Sequence, residues 1–175
     1  MQPPLIALTM GDPAGVGPEI CLRALAETSL ATECRLAVFG DAAVLRRCGE
    51  QIGLPLSAEV LAEADWPARH AEITRPVVLD LRSIDSGSLV PGTVNAETGA
   101  ASYAYIEAAL DAALAGQIDA VATGPISKEA LHAAGIEFPG HTEIFATRCA
   151  APRWCMMQYS EEITTAGRQI GRAHV

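Results

Sequence analysis

Four short runs in this chain are apolar along nearly their whole length: Leu5-Ile6-Ala7-Leu8-Thr9, Leu36-Ala37-Val38-Phe39-Gly40, Pro76-Val77-Val78-Leu79-Asp80-Leu81 and Ala120-Val121-Ala122-Thr123. A strand with one wet face alternates apolar and polar side chains, so an unbroken apolar run points to a strand buried on both faces. Between the runs lie stretches of helical period, which predict helices from Pro18 to Ala26, from the Asp41 cap through Ile52, from Ala96 to Ala115, from Lys128 to Ala134 and from Thr142 to Ala150. Buried strands alternating with helices specify an α/β fold, a mainly parallel sheet with helices on both faces. Ligands of such sheets bind beyond the carboxyl ends of the strands.

The punctuation agrees with this layout. Pro18 suits a first helical position, where its missing N–H costs nothing. Gly53 and Pro55 end the second helix, Gly116 the long one, and Ser127 and Gly135 bracket the short one. On the long helix, Tyr103, Ile106, Leu110, Ala113 and Leu114 fall on one face. Residues 56–75 show no regular pattern, Ser86 to Gly92 reads as a polar loop, and Cys155 to Tyr159 as a last strand.

With 175 residues the chain suits one domain or one large lobe. Its net charge of −9 and lack of a basic stripe argue against a nucleic-acid partner. No apolar stretch long enough to span a membrane and no secretory leader are seen, so a cytoplasmic location is expected. The five cysteines contain no Cys-x-x-Cys and are expected to be buried thiols.

Two stretches carry the chemistry. Thr9-Met10-Gly11-Asp12-Pro13-Ala14-Gly15-Val16-Gly17-Pro18-Glu19 joins a strand to a helix. Its glycines fit either an anion-binding loop at a helix N-terminus or a tight turn. The spacing is neither Gly-x-Gly-x-x-Gly nor a Walker motif. Gly124-Pro125-Ile126-Ser127-Lys128 ends a strand and delivers a cation, followed by Pro139-Gly140-His141-Thr142-Glu143. Lys128 in a first helical turn opposes the helix dipole, so it reads either as a surface lysine or, given that misfit, as a contact for an anionic ligand. His141 can bond a substrate oxygen and Thr142 adds a hydroxyl, although Thr142 can also cap the next helix. His132 reads as structural, His70 lies in an irregular region and carries little signal, and no His-x-x-x-His pair marks a metal site.

Together these blocks, with Gly92 to Gly99 before the long helix, resemble the 4-hydroxythreonine-4-phosphate dehydrogenases of vitamin B6 synthesis, in order from about Leu5 to Ala166. The resemblance implies an isocitrate/isopropylmalate dehydrogenase-like fold of two α/β lobes in a homodimer, with the second lobe incomplete here. It implies NAD-dependent, metal-assisted oxidation of a secondary alcohol on a phosphorylated hydroxy acid, whose 3-oxo acid product decarboxylates to 3-amino-2-oxopropyl phosphate. His141 and Thr142 match the family's substrate-binding pair; Asp12 and Lys128 lie in family motifs near the cleft. No residue is assigned as catalytic or cofactor-binding. The divalent metal, zinc or magnesium or cobalt, is expected to take its histidines from a later part of the family's chain, and none from this one.

The likeness breaks at about Gly167, before the Thr-Thr-His run that opens the family's metal site. The ending Ile170-Gly171-Arg172-Ala173-His174-Val175 looks like translated adapter sequence. The expected organisation is therefore residues 1–166 as the N-terminal part of such an enzyme and 167–175 as a non-native tail, the piece alone being inactive. Two other readings stand beside this one: a dehydrogenase of phosphorylated threonate or erythronate, and a non-catalytic phosphosugar-binding module.

Overall fold

The computed structural model describes residues 2–159 and 164–167. Five strands, β1 (Leu5–Thr9), β2 (Arg35–Gly40), β3 (Glu59–Ala62), β4 (Val77–Asp80) and β5 (Ala120–Thr123), form one parallel sheet in the order β3-β4-β2-β1-β5. The chain winds from β1 toward one edge, then crosses back to place β5 on the other side of β1. Winding direction therefore reverses between β1 and β5, and such a reversal opens a crevice at the strand ends. The expected α/β class is what the structure shows.

Alternate residues of the strands feed two cores. On one face Leu8, Leu36, Val38 and Val78 pack with Cys21 and Leu22 of α1 (Gly17–Ala26) and Val44 and Leu45 of α2 (Ala42–Ile52). On the other, Ala7, Ala37, Phe39, Val77 and Leu79 meet Trp66 of α3 (Trp66–Arg69) and Ala109 and Ala112 of α4 (Ala96–Leu114). Phe39 and Trp66 meet edge to face at 5.1 Å, and the Trp66 indole N–H donates to Gln117 at 2.8 Å, so the buried ring leaves no polar atom unpaired. A smaller cluster joins Ile106 and Leu110 of α4 to Ile126, Phe138 and Ile144, the last on α6 (His141–Arg148). Between them runs α5 (Lys128–Ala133). Strands β6 (Met156–Tyr159) and β7 (Thr164–Gly167) pair antiparallel, apart from the main sheet.

Several expectations need correction. Residues 56–75 hold a strand, β3, and a helical turn; β3 is short and its first residue is an exposed Glu, so it lacks the long apolar run that marks the others. The Ala120–Thr123 run is not buried: β5 is an edge strand with three of its four residues exposed. On α4 the buried tyrosine is Tyr105, while Tyr103 stacks on Phe138 at 6.2 Å and Leu114 is exposed. Of the cysteines, Cys21 is buried, whereas Cys149 and Cys155 are exposed. Asp41 precedes α2 without a side-chain cap; its carboxylate is used elsewhere. The expected tail lies, beyond Gly167 of β7, outside the described residues.

Candidate functional site

The crevice is built by two turns that leave neighbouring strands and close on each other. Gly124 N–H donates to Thr9 C=O at 2.8 Å and Asp12 N–H to Pro125 C=O at 2.9 Å. Gly11 has φ +74°, and a Cβ there would lie 2.3 Å from the Pro125 oxygen. At Gly17 a Cβ would lie 1.9 Å from the Met10 oxygen. No side chain fits such gaps, so these glycines are explained by backbone contact. That favours the tight-turn reading of the first motif.

Asp12 is 7% exposed. Its Oδ1 accepts the Ala14 N–H at 2.9 Å; the Thr98 side chain lies beside the same carboxylate, with its hydroxyl donating to the Asn95 C=O at 3.1 Å. Burial pushes its pKa up, against the opposing influence of the Ala14 N–H and the nearby Thr98 side chain. Ala14 C=O in turn accepts Gly92 N–H at 2.7 Å. Asn95 caps α4 by accepting the Thr98 N–H at 2.9 Å. Asp12 therefore sits where the first turn, the Gly92 loop and the start of α4 meet, with Oδ1 committed to the Ala14 N–H. Beside it, Asp41 accepts Ser83 N–H at 2.7 Å and the Tyr105 hydroxyl, while Asp80 accepts Ala42 N–H at 2.9 Å, supplying the cap that Asp41 does not.

The second turn leads into α5. Ser127 Oγ accepts the Ala130 N–H at 3.2 Å, as its place before the helix predicts. Lys128, the first residue of α5, is exposed. Gly135, at φ +77°, ends the turn after the helix.

His141 is the first residue of α6, after Gly140. Its Nε2 is buried and has no hydrogen-bond partner among the described residues. Burial lowers its pKa from 6.5, so the ring is neutral at neutral pH. A buried nitrogen without a partner carries a desolvation cost that a ligand atom can remove. Thr142 is half-buried and lies inside the helix. Gly140 occupies the cap position, so Thr142 is not the cap and its hydroxyl is free of that duty. Three residues on, Ile144 packs in the same cluster as Ile126, which ties the start of α6 to the Gly124–Lys128 turn.

The structure thus links the turns bearing Asp12 and Lys128 through a backbone hydrogen bond, and links His141 and Thr142 to the second turn through Ile126 and Ile144. Sequence reasoning missed Thr98 and Asn95, which bond each other to start α4 beside Asp12; the signal was present as an Asn three residues before a Thr at a helix start. It also missed Thr9, whose fully buried hydroxyl has no partner among the described residues. Among the described residues no three His, Cys, Asp or Glu side chains gather around one point that could hold a metal ion.

Comparison with known proteins fits this architecture. The family model for the pyridoxal phosphate biosynthetic protein PdxA matches residues 32–168. The chain belongs to the PdxA family. A 4-hydroxythreonine-4-phosphate dehydrogenase of Desulfosudis oleivorans is 44% identical over 157 residues, covering 88% of this chain and 45% of that protein. A D-threonate 4-phosphate dehydrogenase of Cupriavidus necator is 40% identical over 154 residues, covering 88% of this chain and 45% of that protein. The crystal structure of a 4-hydroxythreonine-4-phosphate dehydrogenase from Burkholderia phymatum superposes with a TM-score of 0.81 at 36% identity, over 94% of this chain and 49% of that one. The chain spans about half the length of the PdxA relatives it matches.

Proposed function

We propose that this chain carries the substrate-gripping part of a dehydrogenase that oxidises the secondary alcohol of a small phosphorylated hydroxy acid. The observation that carries the reading is the buried Nε2 of His141, which has no partner among the described residues, on a helix that begins beside Thr142 and is packed against the turn bearing Lys128. A neutral imidazole and a hydroxyl bond the substrate's oxygens without charge, and Lys128 supplies the cation that an otherwise acidic chain needs near a phosphate. The relatives' names support two substrates, 4-hydroxythreonine 4-phosphate and D-threonate 4-phosphate; in this reading the first, as 4-phosphooxy-L-threonine, gives a 3-oxo acid that decarboxylates to 3-amino-2-oxopropyl phosphate on the route to pyridoxal phosphate.

The same reading includes NAD as hydride acceptor and a divalent metal, zinc or magnesium or cobalt, that polarises the alcohol when bound. The described residues assemble no ligand set for that ion, so His141, Thr142 and Lys128 are assigned to binding and orientation alone. It also includes a homodimer in the cytoplasm, with no nucleic-acid or membrane partner; no helix among the described residues is long and apolar enough to cross a membrane. The 175-residue chain alone is inactive in this reading.

Calorimetric titration of the purified chain with each phosphorylated acid tests the proposal. Binding that falls about tenfold or more in His141→Ala supports it. Equal binding by wild type and variant, or none to either acid, rejects it.

A further inference from the structure

At the amino ends of the strands, opposite the crevice formed by the Gly11 and Gly124 turns, lies a cavity of about 250 Å³. Leu5, Arg35, His70, Ala71, Gln117 and Asp119 are among its walls. The strand register places its two charged side chains. Leu5 of β1 pairs with Arg35 of β2, and Ile6 with Ala120 of β5, so Asp119 stands beside Leu5 on the other side. Ala37 and Phe39 on β2, and Val121 on β5, all join the core against α3 and α4. By strand alternation Arg35 and Asp119 fall on that same face. Their backbones stand two strand spacings apart, roughly 9.5 Å, close enough for one small molecule to touch both.

Neither charge is met by an opposite one. Arg35 Nε donates to Pro3 C=O at 2.9 Å and Nη1 to Ile73 C=O at 3.2 Å, both uncharged partners, and Nη2 takes part in neither bond. Asp119 uses Oδ2 to accept the Leu5 N–H at 2.7 Å. Among the described residues neither side chain forms an ion pair. The backbone bonds explain why each group is held here, but they leave both charges available to a ligand. A simple anion drawn to Arg35 would meet Asp119, and a simple cation drawn to Asp119 would meet Arg35. A molecule bearing both charges avoids both repulsions. The uncharged groups of the wall add to the match. His70 Nδ1 donates to Trp66 C=O at 3.2 Å, which leaves Nε2. Gln117 Oε1 accepts the Trp66 indole N–H, which leaves its amide donors. We propose that this cavity is a second ligand site, which takes a small α-amino acid with its carboxylate on Arg35 and its ammonium on Asp119. The site stands independently of the reading of His141, which belongs to the other end of the sheet.

Ligand-observed NMR titration of the purified chain with L-alanine, L-serine and L-threonine tests this. Saturable binding is expected, and propionate and ethylamine, each one charge short, should bind at least about tenfold more weakly than L-alanine. Ala71→Glu, at an exposed wall position that makes none of the bonds above, places a carboxylate in the cavity near Arg35 and should weaken amino-acid binding by a similar factor. Arg35→Gln should do the same by removing the cation. Circular dichroism checks the fold of both variants, and if Arg35→Gln unfolds, Ala71→Glu decides alone. D-threonate 4-phosphate, assigned to the opposite end of the sheet, should not displace the amino acid. Four outcomes overturn the proposal: no binding of any of the three amino acids, propionate or ethylamine binding as tightly as L-alanine, binding indifferent to Ala71→Glu, or displacement by D-threonate 4-phosphate. None of them bears on the effect of His141→Ala on the phosphorylated acids, so the two readings fail separately.

Discussion

Gly99 of α4 lies so close to the backbone of Ala130 in α5 that a Cβ on it would stand 2.0 Å from the Ala130 carbonyl oxygen. The two helices cross backbone to backbone at this point, which holds α5, and with it Lys128, against the start of α4. Neither backbone can yield without moving its helix. Gly99→Ala should cost on the order of 3 kcal/mol, as overpacking at a rigid contact does. Urea unfolding would show it as a lower midpoint with an unchanged slope.

Tyr105 and Asp41 form a second rigid tie. Tyr105→Phe leaves Asp41, 1% exposed, with one donor fewer. The expected loss is about 1.5–3 kcal/mol, the value for a hydrogen bond to a charged group. For a chain of this size that corresponds to a drop in Tm of roughly 3–12 °C, measurable by calorimetry. A Tm within a degree of wild type would contradict the tie.

The pH dependence of stability should carry a component from His141. Burial lowers the pKa of the folded state below 6.5, so between those two values the unfolded chain binds more protons than the folded one. Stability then falls as pH drops through that window and is restored above 6.5. Asp12 and Asp41 act with the opposite sign, since burial raises both from 3.8; their contribution is present at acid pH and is lost as pH rises through the folded-state values. Denaturant midpoints between pH 5 and 8 in wild type and His141→Asn separate the imidazole component, which the variant should lack.

Lys128→Gln should weaken binding of either phosphorylated acid several-fold and flatten the dependence of affinity on salt, because the variant loses a charge partner exposed to solvent. Titrations at two ionic strengths read both effects. Unchanged affinity and salt slope would remove Lys128 from the site.

Much of the sheet is legible in the sequence because β1, β2 and β4 are apolar on both faces, as strands covered on both sides are. Strand β3 is hidden because it is an edge strand beginning with an exposed Glu. The exposure of β5 is equally hidden, because its composition is that of a covered strand and its position depends on where α4 returns the chain. The register of α4 misleads because alanines occupy so many of its positions that no single face stands out, so Tyr103 and Tyr105 are hard to rank. In the site, the Gly-His-Thr turn is visible from residue types alone. The placement of Asp12 beside Thr98, and the commitments of Asp41 to Ser83 and Tyr105, are not, since each joins segments brought together only by folding.

The Nε2 of His141, which meets no partner among the described residues, has one more implication. An uncharged imidazole can present either a proton or a lone pair at that atom, and the interchange leaves the ring's net charge unaltered. Whichever tautomer prevails is thus decided by the arriving oxygen, so a hydroxyl that donates and a carbonyl that only accepts can be held by the same nitrogen in turn. For a reaction that converts an alcohol into a ketone, such a grip stays usable before and after the oxidation.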